Sequence, residues 1–425
     1  MAIQVIRRWD PAPGSGLPRR DLAGCEYKAY VPDLLAERTF LLEGKVAADV
    51  AEAEGAIQRL NLEAAALADS EAVARLLLRA EAVASSKIEG LEAGGRRLFR
   101  AEAARVLGDD AVDVTAEEIL GNIAAMAWAV EALADAKAIK VEHLLELHRR
   151  LLANTRLDVH AGVMRDSQNW IGGSSYNPCS AAFVPPPPED LPRLLADLIA
   201  FCNGDDLSPV VQAAIAHAQF ETIHPFVDGN GRAGRALIHV ILRRRGLASR
   251  VLVPVSLVLA TWSRDYIEGL TATRYVGDAE LPEAIDGLNR WVGLFASACG
   301  RAVIDAQIYE KRFAGLQHEW RQRLGLPRKG SASDRLIGAL PGSPILTVSV
   351  AAALIGRSFQ ATNQAVGQMV QVGILRTVKV GRRNRAFEAP DVVDAFNDLE
   401  RRLASPAGDT LTSPAVRRVP RRSTS

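Results

Sequence analysis

Apolar positions recur at three- and four-residue intervals along most of this chain, which predicts a protein built mainly from α-helices. The pattern is helical from about Glu37 to Leu107, with runs such as Ala72–Val83. Gly90 and then Gly94-Gly95 interrupt that stretch and are expected to end a helix. It resumes over Thr115–Ala136, where Thr115 and Glu118 have the spacing of a capping box, and again over Val141–Asn154. Between 160 and 190 the periodicity is lost. Asn169–Ser175 and Ala181–Val184 are short β-prone pieces around a turn-rich link, which predicts a small hairpin. The four prolines Pro185–Pro188 then read as a stiff connector. Helical spacing dominates from Leu191 to about Gln322. The ends differ: residues 1 to about 35, rich in Pro, Gly and Arg, read as an extended lead-in, and Ser405–Ser425 has the composition of a disordered tail.

Composition changes this picture little. A chain of 425 residues is long enough for two or three domains. With 24% charged residues and a net charge of +1, it has no global basic excess, so contact with nucleic acid would need a local patch. Cys25, Cys179, Cys202 and Cys299 are scattered without a CxxC pair and read as reduced thiols, neither a disulfide frame nor a zinc site. Met1–Asp10 lacks the apolar core of a secretory signal. The longest apolar run, near Val251–Trp262, contains a proline and is too short to span a bilayer. A cytoplasmic protein is expected.

The chemistry concentrates in His224-Pro225-Phe226-Val227-Asp228-Gly229-Asn230-Gly231-Arg232-Ala233-Gly234-Arg235. Its flanks, Val211–Phe220 and Ala236–Arg245, have helical spacing, so the element is helix, short loop, helix. A loop entering a helix through Gly-Asn-Gly leaves backbone N–H groups unpaired and aligned with the helix dipole, which makes an anion site. Arg232 and Arg235, three apart, share roughly one face and can clamp phosphate oxygens. Asp228 would repel a bare phosphate but suits Mg²⁺. His224 has the right ordinary pKa to take a proton from a hydroxyl near neutral pH. Gly229–Gly234 also fits GxGxxG, but a dinucleotide site needs a preceding strand and an acidic residue about 20 positions on. The preceding segment is helical, and no Asp or Glu lies between Arg235 and Asp265. His217 reads as packing or as support behind the site, and His143 and His148 as ordinary packing or surface residues.

This stretch resembles the signature of the Fic family, His-Pro-Phe-x-Asp/Glu-Gly-Asn-Gly-Arg-x-x-Arg, at every defined position. The resemblance covers roughly residues 20 to 300, with the 165–184 hairpin similar to the family's flap. It implies a mainly α Fic core that transfers AMP from ATP to Ser, Thr or Tyr hydroxyls of other proteins. His224 would be the general base, and Asp228 would hold Mg²⁺ at the phosphates. Gly229, Asn230 and Gly231 would form the anion hole, with Arg232 bracing it and Arg235 meeting the γ-phosphate. The flap would take an extended segment of the target as an added strand. Doc-type relatives, which phosphorylate, differ at the second glycine of the nest; Gly231 favours AMP transfer.

Ser85-Ser86-Lys87-Ile88-Glu89-Gly90 is similar to the family's inhibitory signature, Ser/Thr-x-x-x-Glu-Gly/Asn. Ser85 and Glu89 are four apart, on one helix face, and Glu89 is expected to pair with Arg235. Further on, Val348–Ile355, Ser358–Val372, Leu375–Val380 and Arg385–Glu388 follow the order of a winged helix. Arg382, Arg383 and Arg385 in its turn, and Ser358, Gln360 and Gln364 on its second helix, suit DNA; protein docking or dimerisation stays open. The expected organisation is an N-terminal helical region with the inhibitory helix (1–110), a catalytic core (111–300), a connector and linker (301–343), a winged-helix-like domain (344–402) and a tail (403–425). The alternatives are a DNA-binding regulator with a nucleotide-sensing Fic domain, or a Fic enzyme that transfers another phosphate-containing group or removes AMP. A homo-oligomer is compatible with either.

Overall fold

The structure, a computed structural model, describes residues 1–11, 23–65, 70–108, 113–133, 136–380 and 384–403. A two-stranded hairpin, β1 (Ile3–Trp9) and β2 (Cys25–Val31), precedes the helices α1 (Gly44–Ala65), α2 (Ser70–Ile88), α3 (Gly95–Val106), α4 (Val114–Ala132) and α5 (Val141–Leu152). After the flap region come α6 (Leu191–Asn203), α7 (Pro209–Ile223), α8 (Asn230–Arg244), α9 (Val255–Thr261), α10 (Ser263–Ala272) and the 42-residue α11 (Pro282–Arg323). The C-terminal unit holds α12 (Ala332–Ala339), β3 (Ile345–Leu346), α13 (Val348–Ile355), α14 (Phe359–Gln371), β4 (Arg376–Val380), β5 (Asn384–Glu388) and α15 (Pro390–Leu403).

Helix α7 is the axis of the larger core. Every residue from Val210 to Ile223 is buried, as expected for a helix with apolar or small residues on all sides. Pro209 at its first turn costs no hydrogen bond, because that N–H would be unpaired anyway. Helices α8, α11, α6 and α1 pack around it. A second core joins the outer side of α2, α3 and α4 to the C-terminal unit, through Leu76, Leu98, Phe99, Leu336, Ile337 and Phe396 among others. There β3, β5 and β4 form one antiparallel sheet in that spatial order. Helix α2, which carries Ser85, therefore lies between two cores.

Four expectations change. The lead-in is a paired hairpin, with Ile3 opposite Val31 and Trp9 opposite Cys25; its two seven-residue runs hold β-branched and aromatic residues but no clean alternation, and the intervening Pro and Gly outweigh that signal. The first long helix starts at Gly44, not near Glu37. Helix α4 is capped by Asp113, whose carboxylate accepts from the Ala116 N–H at 3.1 Å, so Thr115 lies inside the helix and makes no capping box. Cys25 and Cys179 form a disulfide across 154 residues, which corrects the reading of four free thiols; Cys202 and Cys299 are buried and free. Sequence spacing says nothing about a pair brought together by packing β2 against the flap turn. Arg382, Arg383 and the tail lie outside the described residues.

Among the described residues no helix is long and apolar enough to cross a membrane.

Candidate active site

The site begins where α7 ends. His224 closes the helix in a left-handed conformation, φ +49°, with its N–H donating to the Phe220 carbonyl. Such a φ is uncommon for a residue with a side chain, and Pro225 prevents the helix from continuing. The loop is then braced from within. Asn230 accepts from the Phe226 N–H at 2.8 Å and donates back to the Phe226 carbonyl at 2.9 Å. Its side chain is thus committed to loop shape, and the groups left for an anion are the backbone N–H groups opening α8. Gly229, φ +75°, caps that helix, and a Cβ there would also sit 2.9 Å from Leu151.

Residues 85 and 89 reach this loop from α2. Arg235, 1% exposed, donates from Nε to Ser85 Oγ (2.9 Å) and from Nη2 to the Ser85 carbonyl (2.8 Å) and Glu89 Oε1 (2.7 Å). The expected ion pair is present. Glu89 also lies on the glycine nest: a Cβ on Gly231 would be 1.9 Å from Glu89 Oε1. Only a glycine lets that carboxylate come so close. Burial works to raise the Glu89 carboxyl, and the Arg235 guanidinium overrides it, leaving the group below its ordinary range. Arg232 is buried and bonds Asp228 Oδ2 at 2.9 Å, while the Asp228 side chain is about half exposed. Burial pushes His224 down to about 4, partly offset by the Glu221 carbonyl, so the imidazole is neutral at pH 7.

One helix end, a glycine nest carrying an anion, a clamped arginine and a neutral histidine thus share a single loop, in the order of the signature residues. Residues 138–242 match the model described as Fic/DOC family, and residues 47–131 match Fic/DOC family N-terminal. Residues 138–242 therefore carry a Fic/DOC domain.

Protein adenylyltransferase fic-1 of Caenorhabditis briggsae is 31% identical over 172 residues, covering 39% of this chain and 31% of that protein. Protein adenylyltransferase Fic of Drosophila virilis is 37% identical over 140 residues, covering 32% of this chain and 27% of that one. The chain thus spans under a third of the length of these curated relatives. A crystal structure of a Fic family protein from Desulfovibrio desulfuricans G20 superposes with a TM-score of 0.51, over 82% of this chain and 97% of that one, at 22% identity, which bears on the fold alone.

In this Fic domain the flap region is a narrow hairpin whose arms meet at one bridge, Ile171 opposite Phe183. Its tip is tied to β2 by the disulfide. Its base is tied to the histidine loop by Asn169 Nδ2, which donates to the Phe226 carbonyl at 3.1 Å, while Gln168 Nε2 donates to the Pro185 carbonyl at 2.9 Å and joins the flap's own two arms.

Sequence reasoning missed His148. It is buried and stacked flat on Phe226, with centroids 3.7 Å apart. Its Nδ1 accepts from the Gly162 N–H at 3.0 Å, so Nε2 carries the proton and donates to the Asp228 carbonyl at 2.9 Å. Its ring therefore supports the loop from below. Its position on the buried stripe of α5, beside Leu144, Leu147 and Leu151, was the available signal. His217 packs behind α8, bonded to Tyr266 Oη at 2.8 Å. In the C-terminal unit Ser358 caps α14 by accepting from Ala361, while Gln360, Gln364 and Arg385 are exposed.

Proposed function

We propose that this chain is a protein adenylyltransferase, restrained by its own Glu89, that moves AMP from ATP to a hydroxyl of a target protein. The observation that carries the reading is the Glu89 carboxylate seated on the Gly231 nest and on Arg235. An anion already occupies the ground that a triphosphate would use. In the released state the N–H groups opening α8 would receive phosphate oxygens, with Arg235 free for the terminal phosphate. The target oxygen then attacks Pα. As the new O–Pα bond forms, the hydroxyl proton passes to neutral His224, the Pα–O bond to the β-phosphate breaks, and pyrophosphate leaves. Catalysis is mainly positioning and charge stabilisation.

Mg²⁺ is part of this reading as a partner of the nucleotide. Among the described residues no group of three or more His, Cys, Asp or Glu is arranged to hold a metal. Mg²⁺ commonly takes one or two carboxylates and completes its shell with phosphates and water, so the half-exposed Asp228 fits it. When bound, it would neutralise charge on the phosphates.

The target segment is expected beside the flap, added as a strand. The partner of the C-terminal unit stays a choice between DNA and protein, with the order α13, α14, β4, β5 favouring a winged helix. Replacing Arg382 and Arg383 should lower duplex affinity and its salt dependence if DNA is bound. A cytoplasmic setting is also part of the reading; a reducing compartment would leave Cys25 and Cys179 alkylatable.

The deciding experiment incubates the Glu89→Gly variant with lysate and ATP labelled at either the α- or the γ-phosphate. Transfer of α-label alone is expected. Transfer of γ-label would mean phosphorylation, and transfer of neither would remove the enzyme reading.

A further inference from the structure

Arg165 is the residue on which the flap and the histidine loop converge. It is 4% exposed, and its hydrogen bonds go to main-chain carbonyls. Its own N–H donates to the Pro225 carbonyl (2.9 Å) and Nε to the His224 carbonyl (2.9 Å). Nη1 donates to the Ser167 carbonyl (3.0 Å) and Nη2 to the Pro186 carbonyl. Ser167 and Pro186 flank the two arms of the flap hairpin; His224 and Pro225 are the turn that holds the base in its left-handed conformation.

Burial lowers the Arg165 guanidinium to about 10, which still leaves it cationic at neutral pH. A cation enclosed by carbonyls, with no carboxylate pairing among the described residues, is a costly arrangement. Strained backbone of the His224 kind persists only where its surroundings over-determine it. Here the planar fork of one guanidinium supplies that constraint from both sides at once, a geometry that a lysine ammonium lacks.

We infer that Arg165 is a positioning residue that couples the placement of the flap, and so of the target strand, to the orientation of His224. The inference rests on the reading of His224 as general base. It does not require Arg165 to touch nucleotide or target. Burial is the main reason His224 is neutral, opposed by the Glu221 carbonyl; the Arg165 cation adds to the effect of burial, Glu89 opposes it, and Arg274 adds a little more.

The test uses the full chain carrying Glu89→Gly, alone and with Arg165→Lys or Arg165→Gln. Measurements are affinity for MgATP by calorimetry, transfer of α-label, the pH at which transfer fails on the acid side, and the melting temperature. A misplacement of about 1 Å costs about 10²-fold in rate, so transfer should fall about that much in both variants, with affinity for MgATP changed by less than about twofold. With the Arg165 cation gone in Arg165→Gln, the acid limb should move to higher pH than in Arg165→Lys, whereas loosened packing around His224 would move both variants' limbs alike. Lysine keeps the charge but not the fork, so it should lose rate with little movement of the limb.

Transfer within about threefold of Glu89→Gly, or a fall in MgATP affinity and melting temperature that tracks the rate, overturns the inference. Should the Arg165 variants not fold, Asn169→Ala removes one donor to the same loop from the flap side. A loss of about tenfold at unchanged MgATP affinity then supports the coupling, and no loss overturns it. A silent Glu89→Gly parent would instead remove the adenylyltransferase reading and this inference with it.

Discussion

Helix α2 meets helix α8 twice, and the two contacts are built differently. Deep in the molecule, Glu81 faces His239 at 2.7 Å and takes both the N–H and the hydroxyl of Ser256, with all three side chains buried. Two turns further along, Glu89 pairs with Arg235 at the rim, its side chain about a third exposed. The first contact cannot open without separating helices and stranding polar groups, which is expensive. The second can open by moving one carboxylate into water, at the end of a helix that stops at Ile88. On the proposed reading of Glu89, the same two helices carry an anchor and a latch. The opposite side of α2 is held as well, since Arg79 donates to the Gly342 carbonyl at 3.1 Å and pairs with Glu102. Release of the latch therefore need not involve movement of the whole helix.

On that reading the latch guards a base, and His224→Ala tests it with the largest expected effect. In the Glu89→Gly background it should lower transfer by about 10²–10⁴-fold while MgATP still binds. Unchanged transfer would leave the latch guarding something else. Breaking the anchor comes next. Glu81→Ala strands the Ser256 N–H and hydroxyl and one His239 nitrogen in the core, and should cost about 3–5 kcal/mol of stability in a denaturant melt. A loss below about 1 kcal/mol would mean that the two contacts are alike.

Opening the latch alone should do the reverse. If the competent state is populated at about 1%, the gap is only about 2.7 kcal/mol, so Glu89→Gly should raise α-label transfer about a hundredfold with little change in stability. Ser85→Ala removes one neutral partner of Arg235 and should raise transfer by less than about tenfold, in keeping with about 1 kcal/mol per hydrogen bond. If Ser85→Ala equals Glu89→Gly, the carboxylate is not the latch.

A pH series sharpens the picture least but adds a sign. Burial lowers His148 to about 4, His217 to about 3 and His224 to about 4. Between those values and the ordinary 6.5 the unfolded chain binds more protons, so stability present above 6.5 is lost on acidification. Glu221 opposes this. Burial raises it to about 7, so its contribution is present below the ordinary 4.5 and lost as pH rises through 7. Glu221→Gln should therefore steepen the acid loss between about pH 4.5 and 6.5; an unchanged slope would reject that pairing of opposites.

What could be read in the sequence was what is local. Residues 224–235 are contiguous, so their helix–loop–helix form, the glycine nest and the histidine before it follow from spacing and from the conformations glycine and proline permit. Ser85 and Glu89, one helical turn apart, could be placed on a shared face for the same reason. The C-terminal order of two helices and a hairpin was likewise written in short-range periodicity. Tertiary structure alone decided the rest. It joined Cys25 to Cys179, turned an apparent lead-in into β1 and β2, put His148 under the loop, enclosed Glu81 with His239 and Ser256, and set Arg165 between the flap and the base. Each of these pairs residues that are far apart in the chain or separated by irregular segments. Local propensity carries no information about such pairs, because only burial of the shared core brings them within bonding distance and makes an unpaired polar group costly enough to select a partner.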